Sequence, residues 1–320
     1  MKIIYLAFWL TVTSCSAFAF DQESSKSWLE RLSKSLQTLN FSTSFVVVKN
    51  NQAEPYHWYH GVGDHGTQYE ILALLNGPRR DVLRKGDVVS YLEPEYAPYS
   101  IVSNRISSPI PTIFSGDVSK LEENYDLIFA GKSRILGRPA QMIRIVSKDH
   151  HRYGYWLWLD QETGLLLKLA IITRKGQLLE QIQFTHLDIT KQPAESLQQL
   201  AKAKLPHVVD IPKNSVNINF PWRVTWLPAG FKLIKTDRHR ITITKQPADF
   251  MLYSDGLVDF SIYVMPSNVK HRETEFVNDG ATVVLNQVTN GNEVSIVGKI
   301  PAETSKMIAD SVMFNQVSRP

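Results

Sequence analysis

Hydrophobic and polar positions change period along this chain, and the changes mark out its elements. From Ser24 to Leu39 the apolar residues Trp28, Leu29, Leu32, Leu36 and Leu39 fall on one face, with Ser24, Lys26, Glu30 and Lys34 on the other, which predicts an amphipathic helix. Such a helix needs a sheet to lie on. From Phe41 to Lys49 the period drops to two, the mark of a strand, and Tyr56 to Val62 follows. Helix and strand readings compete over Gln68 to Leu75. Asn76-Gly77-Pro78 is a turn, after which Arg79 to Arg84 and Val88 to Leu92 make a hairpin across Lys85-Gly86-Asp87.

Between Glu93 and Asn124 the pattern breaks. Pro94, Pro98, Pro109 and Pro111 exclude long regular elements, yet Ile110, Ile113, Phe114 and Leu121 want burial, so a loop and short helical turns over one sheet face are expected. Five strands follow, Leu127–Ile135, Ala140–Val146, Tyr153–Leu159, Leu165–Thr173 and Leu178–Leu187, separated by short turns such as Gly137-Arg138-Pro139 and Arg174-Lys175-Gly176. Turns this short cannot make parallel crossovers, so the regular up-down order implies a curved antiparallel sheet or incomplete barrel.

One strand departs from clean alternation. Tyr153 to Asp160 is apolar on both sets of positions, with Trp156 and Trp158 on one face and Tyr155, Leu157 and Leu159 on the other. Either both faces are core, or one of them lines a cavity. The sequence leaves open which face looks inward.

After Leu187 a short helix over Pro193 to Lys204 and a proline-bearing connector predict a second unit. The domains expected are a leader over 1–19, a large domain over 20–204, a linker over 205–219 and a smaller α+β domain over 220–320. The last contains Trp222 to Trp226, the turn at Leu227-Pro228-Ala229-Gly230, strands at Phe231–Lys235 and Leu257–Val264, and a strand pair about Asn290-Gly291. A closing helix starts with Pro301 in its first turn and is expected to send Met307, Ile308, Val312 and Met313 inward.

Composition narrows the compartment and the chemistry. Lys2, the apolar run Ile3 to Val12 and the small-x-small site Ala17-Phe18-Ala19 read as an export signal cut after Ala19. A lipobox-like alternative ends at Cys15, but Ala-x-Ala is the better match. With Cys15 the single cysteine, a chain cut after Ala19 has no thiol chemistry. The 320-residue chain is 43% hydrophobic with a formal charge of +4, which suits two ordinary domains and gives no nucleic-acid signature.

Two motifs of hydrolytic chemistry are lacking: there is no Gly-x-Ser-x-Gly and no His-Glu-x-x-His. His57, His60, Asp64 and His65 are the nearest approach to a metal cluster, but His57 and His60 point to opposite strand faces, so they and His150-His151 read as surface or loop histidines. Neither a metal nor a cofactor is expected. Arg79 and Arg80 form a basic turn, either a solvated hairpin end or a contact for an acidic partner or lipid phosphate.

Asn76-Gly77-Pro78-Arg79-Arg80, Tyr91-Leu92-Glu93-Pro94, Tyr155-Trp156-Leu157-Trp158-Leu159-Asp160, Trp226-Leu227-Pro228-Ala229-Gly230-Phe231 and Leu252-Tyr253-Ser254-Asp255-Gly256-Leu257 occur in that order. Together they resemble the RseB/MucB family of sigma-E regulators. The resemblance implies a periplasmic, non-enzymatic protein whose large domain is similar to the lipoprotein carriers LolA and LolB: an α+β fold with a half-open antiparallel β-barrel covered by helices. It further implies binding to the periplasmic domain of the anti-sigma factor RseA, protection of that factor from DegS, and release on meeting lipopolysaccharide or lipoprotein acyl chains. On that reading Phe45, Val47, Ile143, Ile145, Tyr155, Trp156, Leu157, Trp158, Leu167 and Leu169 are lipid-cavity candidates. Arg79, Arg80, Trp226, Phe231, Tyr253 and Asp255 are partner-binding candidates, though the Trp-Leu-Pro-x-Gly-Phe stretch also fits a buried turn whose glycine has positive φ. The alternative is a periplasmic lipoprotein carrier of LolA type. A homo-oligomer is compatible with either.

Overall fold

The computed structural model describes residues 24–209, 218–240, 247–269 and 272–315. The expected export signal and part of the linker lie outside them. Helix α1 (Ser25–Thr38) opens with Ser24 as cap, its hydroxyl accepting from Ser27 N–H at 3.1 Å, and buries Trp28, Leu29, Leu32 and Leu36 as the periodicity predicts. Each fully buried Leu contributes roughly 1.5–3 kcal/mol of transfer free energy.

Strands β1 (Asn40–Lys49), β2 (Gln52–Val62), β3 (Gln68–Leu74), β4 (Arg80–Lys85), β5 (Val88–Leu92) and β6 (Tyr99–Val102) form one run of hairpins. Helix α2 (Leu121–Asn124) leads into β7 (Tyr125–Ile135), β8 (Arg138–Ser147), β9 (Gly154–Asp160), β10 (Leu166–Ile172) and β11 (Leu178–Thr190). The two runs join where β1 pairs antiparallel with β11, giving an 11-stranded sheet in the order β6-β5-β4-β3-β2-β1-β11-β10-β9-β8-β7. Strands β6 and β7 are its two ends, and among the described residues no pairing closes them into a barrel. Gln68 to Leu74 resolves as strand, since it sits between two partners that complete its hydrogen bonds.

Helix α3 (Glu195–Lys202) precedes the second unit. Its main sheet is six-stranded, β13-β14-β15-β18-β17-β16, built from β13 (Lys232–Arg240), β14 (Pro247–Ser254), β15 (Asp259–Pro266), β16 (Arg272–Asp279), β17 (Thr282–Thr289) and β18 (Asn292–Gly298). A small pair joins β12 (Trp222–Val224) to β19 (Val312–Phe314) after helix α4 (Ala302–Asp310). The β17–β18 turn has Asn290 at φ 52° and Gly291 at φ 71°, the left-handed pair that a two-residue hairpin turn demands.

Several expectations need correction. β6 forms inside the proline-rich stretch, because Tyr99 to Val102 is free of proline and β5 offers an edge. β14 spans a segment the sequence pattern left unassigned. Pro301 is the cap of α4, outside its first turn; the helix ends at Asp310, so Val312 and Met313 belong to β19 and not to the helix, and Met307 and Met313 are 44% and 50% exposed while Ile308 and Val312 are buried. A register taken from apolar residues alone cannot separate an inward Ile from an outward Met one position away. His60 is not a surface histidine: it is 1% exposed, and its Nδ1 lies 2.7 Å from Leu39 O. His57 does point to the other face, where it bonds Ser42 and Ser44.

Candidate functional site

The β8–β11 half of the large sheet resolves the question of its two-faced strand. Phe45, Val47, Ile143, Ile145, Tyr155, Leu157 and Leu169 are at most 3% exposed and belong to one apolar cluster with Trp28, Leu29 and Leu32 of α1 and Phe231, Tyr253 and Phe260 of the second unit. This face is filled. Leu167 is buried at a register shift in β10 and stands outside that cluster. Trp156 and Trp158 lie on the opposite face, with ring centroids 6.2 Å apart. Cross-strand register puts Arg144 beside Trp156 and Lys168 beside Trp158, and the cations sit 5.2 Å and 4.8 Å from the ring centroids. Their stems and charges cover the indoles, so an apolar outer face meets water through cations.

The other half of the same inner face is hollow. A cavity of about 680 Å³ lies between a floor of Trp58, Gln68, Glu70 and Arg84 and a roof made by Leu36 and Gln37 at the end of α1 and the loop around Asn104 to Asp117. None of the ten lipid-cavity candidates lines it. Trp58 Nε1 donates to Glu70 Oε2 at 3.0 Å and Arg84 Nη1 to Glu70 Oε1 at 2.7 Å, with Glu70 and Arg84 side chains only 6% and 11% exposed. Gln68 Nε2 donates to Gln37 O at 3.0 Å, tying floor to roof. The guanidinium of Arg105 lies so near Gly116 that a Cβ there would come within 2.6 Å of it. Apolar walls of Trp58, Ile106 and Ile110 beside a self-neutralised ion pair suit binding. Among the described residues no group of three His, Cys, Asp or Glu is placed to hold a metal ion.

The readable signal for this floor is that Glu70 and Arg84 share a face with Leu72 and Val82 in paired strands, polar groups on an otherwise inward set. Burial also depresses the His60 imidazole, which stacks on Phe41 at 5.1 Å beside Trp58.

A second constellation joins the two units. Arg152, 1% exposed in the β8–β9 turn, donates through Nε to Asp255 Oδ2 at 2.5 Å, and its other nitrogens bond Asp149 and the carbonyl of Ala229. Tyr125 Oη donates to Asp255 Oδ2 at 2.7 Å, while Asp255 Oδ1 accepts from Leu257 and Val258 N–H. The guanidinium also lies over Phe231 at 4.7 Å and Tyr125 at 5.7 Å. Burial pushes the Asp149 carboxyl up, but the His151 amide and Arg152 outweigh it and hold it below the usual range. Gly230 sits at φ +85°, and a Cβ there would also overlap Asn124, so both the backbone and the packing call for glycine.

Glu180–Lys299 at 2.7 Å and Lys49–Asp279 at 2.7 Å extend the seam. Phe231, Tyr253 and Asp255, expected to meet a partner, are thus buried within this chain, and Trp226 is half-buried against His151 at 5.1 Å. Arg79 and Arg80 are exposed, with Arg79 Nε 2.6 Å from Asp81. No local motif marks Arg152, because Asp149 is its one near partner in sequence while Ala229 and Asp255 are 77 and 103 residues away.

Residues 24–209 match the MucB/RseB N-terminal domain, and residues 216–313 the MucB/RseB C-terminal domain. The sigma-E factor regulatory protein RseB of Salmonella typhimurium is 32% identical, covering 99% of this chain and 100% of its own length. The sigma factor AlgU regulatory protein MucB of Pseudomonas aeruginosa is 32% identical over 89% of each. The structure of the P. aeruginosa MucA/MucB complex superposes with a TM-score of 0.74 at 30% identity, over 92% of this chain and 99% of that one. Matched in both domains and aligned with a relative over nearly its whole length, the chain belongs to the MucB/RseB family.

Proposed function

We propose that this protein is an exported, non-enzymatic regulator of the sigma-E envelope stress response. It binds the periplasmic part of a membrane-anchored anti-sigma factor of the RseA or MucA type, shields it from DegS-type cleavage, and lets go when lipopolysaccharide or a stray lipoprotein is bound. What supports the reading above all is that both domains align as one unit with MucB in its complex with MucA. Among the described residues no helix is long and apolar enough to cross a membrane, in keeping with export.

The geometry supplies a means. A ligand can change partner affinity only if it binds the two states unequally. The hollow half of the large sheet is the room for such a ligand, and the Arg152 seam ties that sheet to the second unit. A carrier of LolA type would use the large domain alone, whereas here the two units share one apolar cluster. Exposed Arg79 and Arg80 are available for an acidic partner segment or a lipid phosphate.

Calorimetric titration of the full mature chain with the periplasmic segment of the cognate anti-sigma factor tests the reading. Binding at micromolar concentration or tighter, weakened by added lipopolysaccharide, is expected. No binding at that concentration would overturn it.

A further inference from the structure

The two large sheets have four outer edges, and among the described residues each carries a covering segment or a register shift. The connector covers β6, where Ser100 N–H donates to His207 O at 2.8 Å and Val209 N–H to Ser100 O at 2.7 Å. Strand β7 is interrupted by a register shift between Phe129 and Lys132, with Gly131 at φ +90°. Strand β13 shifts between Leu233 and Lys235.

β16 differs in its side chains. It too carries a register shift, between Arg272 and Glu275, beyond which it pairs with β17 without a break from Glu275 opposite Asn286 to Asp279 opposite Thr282, and among the described residues no strand lies on its outer side. Phe276 is 42% exposed and Val277 62%. Consecutive strand residues point to opposite faces, so this edge is bare and apolar on both. Glu273 and Glu275 are exposed beside them, which makes the edge acidic. Its end is fixed: Asp279 accepts from Lys49 Nζ at 2.7 Å and from Asn50 Nδ2 at 3.0 Å, both at the β1–β2 turn of the large sheet.

We propose that β16 is an interaction edge that takes an extended, basic and apolar segment of a partner protein as an added strand. A Lys or Arg lies opposite Glu275, and aliphatic or aromatic side chains cover Val277 and Phe276. Main-chain hydrogen bonds supply affinity, and alternate side chains supply specificity. Because β16 ends on the β1–β2 turn, the added strand lies where the two sheets meet. The identity of the partner as the anti-sigma segment rests on the function proposed above.

The full chain, as wild type, Val277→Asp and Glu275→Lys, is titrated with the periplasmic segment of the anti-sigma factor, and amide exchange is read in the complex. Val277→Asp is expected to weaken binding about tenfold or more, and Glu275→Lys about threefold to tenfold with a shallower salt dependence. Both positions are exposed, so unfolding midpoints stay at the wild-type value, and amides from Glu275 to Asp279 exchange more slowly in the wild-type complex. Unchanged affinity in both variants, or no protection of those amides, overturns the proposal. Self-association of the free chain that Val277→Asp abolishes also overturns it, since the edge then takes a second copy. If the wild type fails to bind the segment, the proposed function falls, and a peptide of about ten residues alternating Lys and Val becomes the probe for the edge. Protection of the same amides by that peptide upholds the edge, and its absence overturns it.

Discussion

The two halves of the large sheet's inner face are made from the same kind of strand and end in opposite states. Under β8–β11 the face is packed against α1 and the second unit, whereas under β2–β4 it bounds a cavity of about 680 Å³. Both halves put aromatic residues inward. The difference lies in what arrives on top. The filled half receives apolar side chains from two other elements, and its one buried cation, Arg152, is matched by two carboxylates and a carbonyl. The hollow half receives a helix end and a proline-rich loop, which sends Ile110 and Phe114 into the core but leaves space over a Glu–Arg pair on the floor.

The seam is where this contrast breaks most sharply. Arg152→Met leaves the fully buried Asp255 carboxylate without its cation and is expected to cost about 3–5 kcal/mol in urea unfolding. Adding Asp255→Asn should recover part of that loss, because Asn still accepts from Leu257 and Val258 without a stranded charge. No recovery would mean that shape, not charge, holds the seam.

Next come the two faces of β9. Leu157→Ala, in the filled core, is expected to lose about 2–5 kcal/mol. Trp158→Ala, on the cation-covered outer face, should lose only about 1 kcal/mol. Equal losses would show that the outer face is as tightly packed as the inner.

On the hollow side, Glu70→Gln keeps an acceptor for Trp58 but leaves Arg84 buried without an anion, for an expected loss of about 1–3 kcal/mol. The double change Glu70→Gln with Arg84→Met should restore stability while altering ligand affinity, which separates the floor's structural role from its binding role. Stability that stays low in the double variant would assign the pair to the fold alone.

The smallest effect separates the halves by pH. His60 has its folded pKa depressed by burial, so the unfolded chain binds the extra proton. Its contribution is complete above an unfolded value of about 6.5 and is lost as pH falls from there through the folded value. Asp149 in the seam, also depressed, contributes above about 3.9 and is lost only as pH falls below that. Unfolding followed from pH 7 downward should therefore weaken first through the hollow half and last through the seam. His60→Phe should shrink the first step, leaving the part that His57, also depressed by burial, contributes, and an unchanged step would place the titrating group elsewhere.

Much of the fold was readable in the chain. The α1 face, the hairpin turns and the five strands from β7 to β11 follow from local periods and from residues such as Gly86, Gly137 and Asn290-Gly291 that fit only particular turns. Strand β6 was missed because proline spacing signals a loop, and the edge that recruits Tyr99 to Val102 comes from β5. None of the ten lipid-cavity candidates lines the cavity of about 680 Å³, because strands apolar on both faces are those most readily filled.

The sequence by itself determined which residues alternate, where the chain must turn, and that Trp156 and Trp158 share one face while Tyr155 and Leu157 share the other, since these depend on neighbours a few bonds away. Only the tertiary structure decided which face is core, which half stays hollow, and that Phe231, Tyr253 and Asp255 close on Arg152. Burial is set by what distant segments bring to a surface, and a strand carries no record of what will cover it.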